Sequence, residues 1–116
     1  MEQAMRQRPT REPVEAGYGL GEIVQAVSKV AGVSREQLSK ALKEQRVQRG
    51  RELLMYVGRR YSSASLAEIA RCVGARDIST VSHGVRRAEK YLGEDRDFQR
   101  QADQVLKKLA RSRIQA

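Results

Sequence analysis

The sequence predicts an all-α protein, a compact bundle of about six helices containing a helix-turn-helix, and three observations carry that prediction. Apolar residues recur at spacings of three and four along most of the chain, as a helix with one buried face requires. Two serines each precede a glutamine or glutamate by three residues, Ser34 with Gln37 and Ser65 with Glu68, and so mark helix starts. Gly32 and Gly74 follow apolar stretches where a helix would end. The core is aliphatic: 40% of the 116 residues are hydrophobic, yet there is one phenylalanine and no tryptophan. This length fits a single domain.

Residues 1–16 hold both prolines, three arginines, three glutamates and few large apolar side chains. Such a stretch buries too little surface to offset its ordering entropy, so it is expected to be a disordered arm. The folded domain is placed at 17–112 and a short tail at 113–116. The first helix carries Leu20, Ile23, Val24, Val27 and Val30 and stops at Gly32. Ser34 opens a short second helix with Leu38, Ala41 and Leu42. Residues 43–51 hold four cations, one glutamate and one large apolar side chain, which reads as a basic loop. A third helix is expected from about Arg51 to Tyr61, with Leu53, Leu54, Val57 and Tyr61 facing inward. Ser65 opens a fourth through Ile69, Cys72 and Val73, and Gly74 ends it. The fifth runs from Asp77 or Ile78 to Leu92 and is closed by Gly93. A sixth starts near Asp95 and carries Phe98, Ala102, Val105, Leu106 and Leu109.

The charge balance points to a polyanionic partner. Twenty-three Lys and Arg against fourteen Asp and Glu give a formal charge of +9, and the arm's charges cancel, so the excess belongs to the fold. Cys72 is the single cysteine, which excludes an intrachain disulfide and fits a buried thiol in a reducing cytoplasm. No window is apolar enough to span a membrane and no secretory leader is recognisable, so the expected location is the cytoplasm, in association with the nucleoid. A lone histidine without partner ligands or a carboxylate pair gives no basis for an enzyme or a metal site. No cofactor is expected.

The fourth and fifth helices, joined by Gly74-Ala75-Arg76, have the lengths of a DNA-reading helix-turn-helix. At about 100° per residue, Ile78, Val81, Val85, Ala88 and Leu92 gather into one stripe of the fifth helix, expected to be its core seam. Arg76, Ser79, Thr80, His83, Arg86, Arg87 and Lys90 fall opposite, with no carboxylate among them. A solvated face usually mixes both signs of charge; short hydroxyls followed by imidazole and guanidinium suit a major groove, where Arg and Lys reach guanine or the flanking phosphates. The helix start at Ser65, with the amides of Leu66, Ala67 and Glu68, is a candidate phosphate contact. Lys43, Arg46, Arg49 and Arg51 of the basic loop are candidates for the backbone or the minor groove.

The run Ser65-Leu66-Ala67-Glu68-Ile69-Ala70, then Gly74-Ala75-Arg76-Asp77-Ile78-Ser79-Thr80-Val81-Ser82-His83-Gly84-Val85-Arg86-Arg87, resembles a known pattern. It is that of the C-terminal DNA-binding domain of the bacterial chromosomal replication initiator DnaA, whose fold is similar to the Trp repressor. The resemblance runs from Leu20 to about Leu109. It implies base reading by Asp77, Ser79, Thr80, His83 and Arg87, with Arg76 at the pattern's arginine. It also puts Lys43 where an arginine enters the minor groove, and Arg51 and Arg59 at backbone-contacting positions. Ile78 stands where the motif has histidine and Glu52 where it has glutamine, which leaves the preferred sequence open. No phosphate-binding loop of the G-x-x-x-x-G-K-[ST] type is present, so no nucleotide is expected. The chain is similar also to the DnaA-like tail of REP-associated tyrosine transposases.

Together these point to sequence-specific binding of double-stranded DNA, of DnaA-box or repeat-element type, in replication initiation or its regulation. The alternatives are an accessory protein derived from a transposase tail, or a protein-interaction module with an unknown partner.

Overall fold

A computed structural model describes residues 17–115, with side chains to Ser112. Among these the order is α1 (Leu20–Ala31), α2 (Arg35–Leu38), α3 (Gln45–Tyr61), α4 (Leu66–Cys72), α5 (Ile78–Glu94) and α6 (Arg96–Gln115). The described residues thus form an all-α bundle of six helices with a helix-turn-helix in α4 and α5. The arm expected at 1–16 lies outside the described residues, and α6 continues beyond 112, the limit expected for the domain.

Local chemistry accounts for the boundaries. Gly32 and Gly74 adopt left-handed φ of 67° and 68°, a conformation other residues reach only with strain, and each turns the chain out of a helix. Ser34 and Ser65 both form complete capping boxes, in which the serine oxygen accepts from the third helical amide and the Gln37 or Glu68 side chain accepts from the serine amide. Asp95 separates α5 from α6 and caps the latter, accepting from the amides of Asp97 and Phe98.

α3 is the central element. It packs on α1, α2 and α4 and shares its largest contact with α5, while α6 covers α1 and α5. Ile23, Val27, Leu38, Leu53, Leu54, Val57, Ile69, Val73, Val81, Phe98 and Val105 are all sequestered in one core. Tyr91 meets Phe98 edge to face at 5.4 Å and seals the α5–α6 end.

Four expectations are corrected. α3 begins at Gln45, so most of the expected basic loop is helix: Val47 and Gly50 are buried and extend the seam of Leu53, Leu54 and Val57 by a turn and a half. Gly50, expected within the basic loop, instead lies in α3, where its bare backbone lets the helix approach Leu38 and Ala31. α2 stops at Leu38, leaving Ala41 and Leu42 exposed. α5 passes through Gly93 to Glu94.

The fourth correction concerns the seam of α5. Val81, Gly84 and Ala88 are buried, Val85 and Leu92 are half-buried, and Ile78 is 49% exposed. The seam is therefore rotated by roughly 40° from the expected stripe, at 100° per residue. The reason is Gly84: a Cβ at that position would overlap the sulfur of Met55, so the Met55 side chain of α3 lies directly on the bare backbone of α5 and the glycine, silent in any apolar count, centres the contact.

Candidate nucleic-acid interface

The helix-turn-helix is fixed from inside by an arginine. Arg51 is only 8% exposed, and its Nε and Nη2 donate to the carbonyl of Val73 at 3.2 and 2.6 Å. That carbonyl belongs to the residue ending α4, which lacks an intrahelical partner. Burial pulls the Arg51 pKa below its usual value, against the raising effect of Glu52. Arg51 was expected to reach the DNA backbone; it is instead spent on the turn, because α3 begins early enough to carry it inside. The other side of the turn is as tight: a side chain at Gly74 would run into the carbonyl of Ser39, so the segment leading to Lys43 lies against the turn.

α5 then projects from the turn under the control of Asp77. Its Oδ1 accepts from the Thr80 amide at 3.2 Å and from the hydroxyls of Ser79 and Thr80. These donors, the Ser79 hydroxyl first and the Thr80 amide next, hold the exposed carboxyl below its ordinary value of 3.8. The consequence for chemistry is directional. With both hydroxyl protons directed at Asp77, Ser79 and Thr80 present oxygen lone pairs outward and would accept from amino groups.

Ser79, His83, Arg86 and Lys90 are exposed and fall within roughly 60° of arc on the face opposite Val81, Gly84 and Ala88. Arg76 and Asp77 are exposed at the base of this face, and Thr80 is half-buried on its flank. Arg87 is on the same flank, 53% exposed, and its Nε donates to Glu52 Oε2 at 2.8 Å. Glu52 is almost enclosed, and its Oε1 has no partner among the described residues.

The remaining cations divide. Lys43 and Arg59 are exposed, as is Arg46, which pairs loosely with Glu44 at 3.4 Å. Arg49 is not free as expected: it pairs with Asp95 at 3.1 Å and lies 3.8 Å over the Tyr91 ring, tying α3 to the far end of α5. Ser65 and the Glu68 amide are consumed by capping, and Leu66 packs on the core, so the start of α4 offers less to a phosphate than expected. Cys72 is half-buried, with its thiol pKa raised by that burial.

Two relationships escaped sequence reasoning. The Glu52–Arg87 pair spans 35 positions, and nothing in one sequence announces it. The exposure of Ile78 had one available signal, the glycine three residues past Val81, which marks a close helix contact and moves the seam. Among the described residues no group of His, Cys, Asp and Glu is placed to hold a metal, and no helix is long and apolar enough to cross a membrane.

Comparison with known proteins gives this arrangement its family. The family model "Bacterial dnaA protein helix-turn-helix" matches residues 20–88, which covers α1 to α4 and most of α5. The chain is similar to the chromosomal replication initiator protein DnaA of Lachnoclostridium phytofermentans, 32% identical over 75% of this chain and 19% of that protein. It is likewise similar to those of Bradyrhizobium sp. strain ORS 278 (35% identical; 77% of this chain, 17% of that protein) and Aquifex aeolicus (35%; 68% and 20%). The chain thus spans about a fifth of the length of these relatives. With the match extending over most of the described fold and over both helices of the helix-turn-helix, this chain belongs to the bacterial DnaA helix-turn-helix family.

Proposed function

We propose that the chain binds double-stranded DNA in a sequence-specific manner by laying the exposed face of α5 in the major groove. The observation that carries this reading is the stripe of Ser79, His83, Arg86 and Lys90, uninterrupted by a carboxylate and held rigidly to the core by the opposite face. Short polar side chains at the leading end let the helix approach base edges; longer cations farther along reach phosphates.

In this reading Asp77, Ser79, Thr80, His83 and Arg87 read bases. Ser79 and Thr80, as acceptors, suit adenine N6 or cytosine N4, and the outer edge of the Arg87 guanidinium suits guanine. Arg59, Arg76 and Arg86 contact the backbone, and Lys43 and Arg46 lie on the adjoining strand or in the minor groove. The family supports a target of DnaA-box type and a role in replication initiation or its regulation.

A mobility-shift titration with duplex DNA at two salt concentrations tests this. Displacement of about five phosphate counterions makes affinity fall steeply with salt, and selection from a random duplex pool returns a defined motif. Binding that is absent at low salt, or a pool that returns no motif, defeats it.

A further inference from the structure

Ile78 is the feature of α5 that the reading above leaves unused. It is the first residue of the helix and 49% exposed, and with Leu42 it makes up the large hydrophobic residues left exposed among the described residues. Helix formation does not call for it, since a β-branched residue ranks below unbranched ones in a helix. Packing does not call for it either, because the buried seam of Val81, Gly84 and Ala88 lies to one side.

Its position is nevertheless well determined. Asp77 caps the same turn through the Thr80 amide and the Ser79 hydroxyl, so the backbone carrying Ile78 is fixed from both neighbours. β-branching restricts χ1 further. The side chain sits on the flank of the groove-facing stripe, in the turn that would lie closest to base edges, with Asp77 and Ser79 beside it in sequence and Arg76 two residues before it. An apolar group in that place needs an apolar counterpart. The major groove of unmodified DNA supplies one kind, the C5-methyl of thymine.

We propose that Ile78 is a specificity-determining residue that packs against a pyrimidine C5-methyl group, that of thymine in unmodified DNA. This rests on the major-groove reading of α5. The surrounding cations hold the duplex while Ile78 selects one base pair by contact and exclusion of water: a cytosine at that pair lacks the methyl, and its amino group would lose hydration against an aliphatic side chain.

The test uses the full chain and a duplex selected from the random pool. Each thymine is replaced in turn by uracil, which removes the methyl and leaves base pairing intact. At one thymine the replacement weakens binding of the unaltered protein about fourfold, the worth of one buried methyl-sized group. I78A binds the thymine duplex more weakly than the unaltered protein, and its affinity is insensitive to uracil at that position. A melting curve of I78A confirms that it folds, as expected for an exposed side chain. Loss of sensitivity in I78A with specific binding retained supports the contact. Specific binding with no thymine sensitive to uracil, or with the same sensitivity in I78A, overturns this proposal alone. Failure of every duplex to bind overturns it together with the reading of α5.

Discussion

Arg87 Nε donates to Glu52 Oε2 at 2.8 Å across the α3–α5 contact, so a half-exposed guanidinium on the candidate DNA face is held by a carboxylate with almost no exposure of its own. The arrangement is asymmetric. The carboxylate's other oxygen is already without a partner among the described residues, whereas the Arg87 side chain stays 53% exposed.

Stability and DNA binding therefore separate at this pair. R87A leaves a desolvated carboxylate unpaired and is expected to lower stability by about 1–3 kcal/mol, read from urea midpoints. The double variant E52Q/R87A recovers most of that stability, because the neutral amide is cheaper to bury, but does not recover DNA affinity. E52Q alone keeps binding but relaxes preference at one base pair, since Arg87 is no longer aimed. Equal specificity in E52Q and the unaltered protein, by selection from a random pool, would remove any aiming role from Glu52.

On the same logic we propose that the cations divide into structural and DNA-facing ones. R51M loses two hydrogen bonds to the Val73 carbonyl and is expected to cost about 1–3 kcal/mol in folding while leaving the salt slope of DNA binding unchanged. K43A and R46A are expected to leave stability within about 0.5 kcal/mol and to reduce that slope by about one each. T80A and H83A are expected to lose about 1–3 kcal/mol of discrimination at one or two base pairs with little effect on random DNA. Uniform losses on specific and random duplexes across all four DNA-facing variants would defeat this division.

These contrasts show what the sequence made legible. Local signals were read correctly where one residue's chemistry decides the outcome: both capping boxes, the helix-ending Gly32 and Gly74 and the inward residues of α1 and α6 lie where spacing and side-chain type put them. Errors arose where tertiary contact decides. Gly50 and Gly84 have no side chain to count, yet they mark where α3 meets α2 and where α3 meets α5. Missing their role shortened α3, turned its first residues into a loop and drew Ile78 into the core. Arg51 and Arg49 were counted as free cations because a net charge says nothing of which guanidinium finds a carbonyl or an aromatic ring inside the fold.

Gly74 and Gly84, the two closely packed glycines of the helix-turn-helix, give a direct test of that packing. G74A is strained both by its φ of 68° and by overlap with the Ser39 carbonyl, a backbone group that cannot yield cheaply. It is expected to cost at least about 2 kcal/mol and to broaden the thermal transition. G84A meets a flexible thioether, so its cost is expected near 1–3 kcal/mol, and shortening the neighbour in G84A/M55V recovers part of it. A G84A protein as stable as the unaltered one would show that α3 and α5 are less closely engaged than described.

Acid should loosen the leading end of α5. Asp77 and Asp95 cap α5 and α6, and hydrogen bonds hold both carboxyls below the ordinary 3.8. For Asp77 the Ser79 hydroxyl is the main cause; for Asp95 it is the Phe98 amide, then Arg49. A carboxyl depressed in the folded state binds fewer protons there than in the unfolded chain. Its contribution is therefore complete above the unfolded value and is lost as pH falls through the folded one. The melting temperature is expected to be insensitive to these two groups between pH 7 and about 5, and to decline below about pH 4. In D77N the amide oxygen still accepts from Thr80, so stability near pH 7 stays close to that of the unaltered protein, while the acid-side decline becomes shallower. Both hydroxyls then face a neutral acceptor, their outward lone pairs are less firmly set, and discrimination at the base pair proposed for Ser79 or Thr80 is expected to weaken. Melting curves from pH 7 to 3 for D77N beside the unaltered chain check the first part, and an unchanged acid-side slope would show that Asp77 takes no part in it.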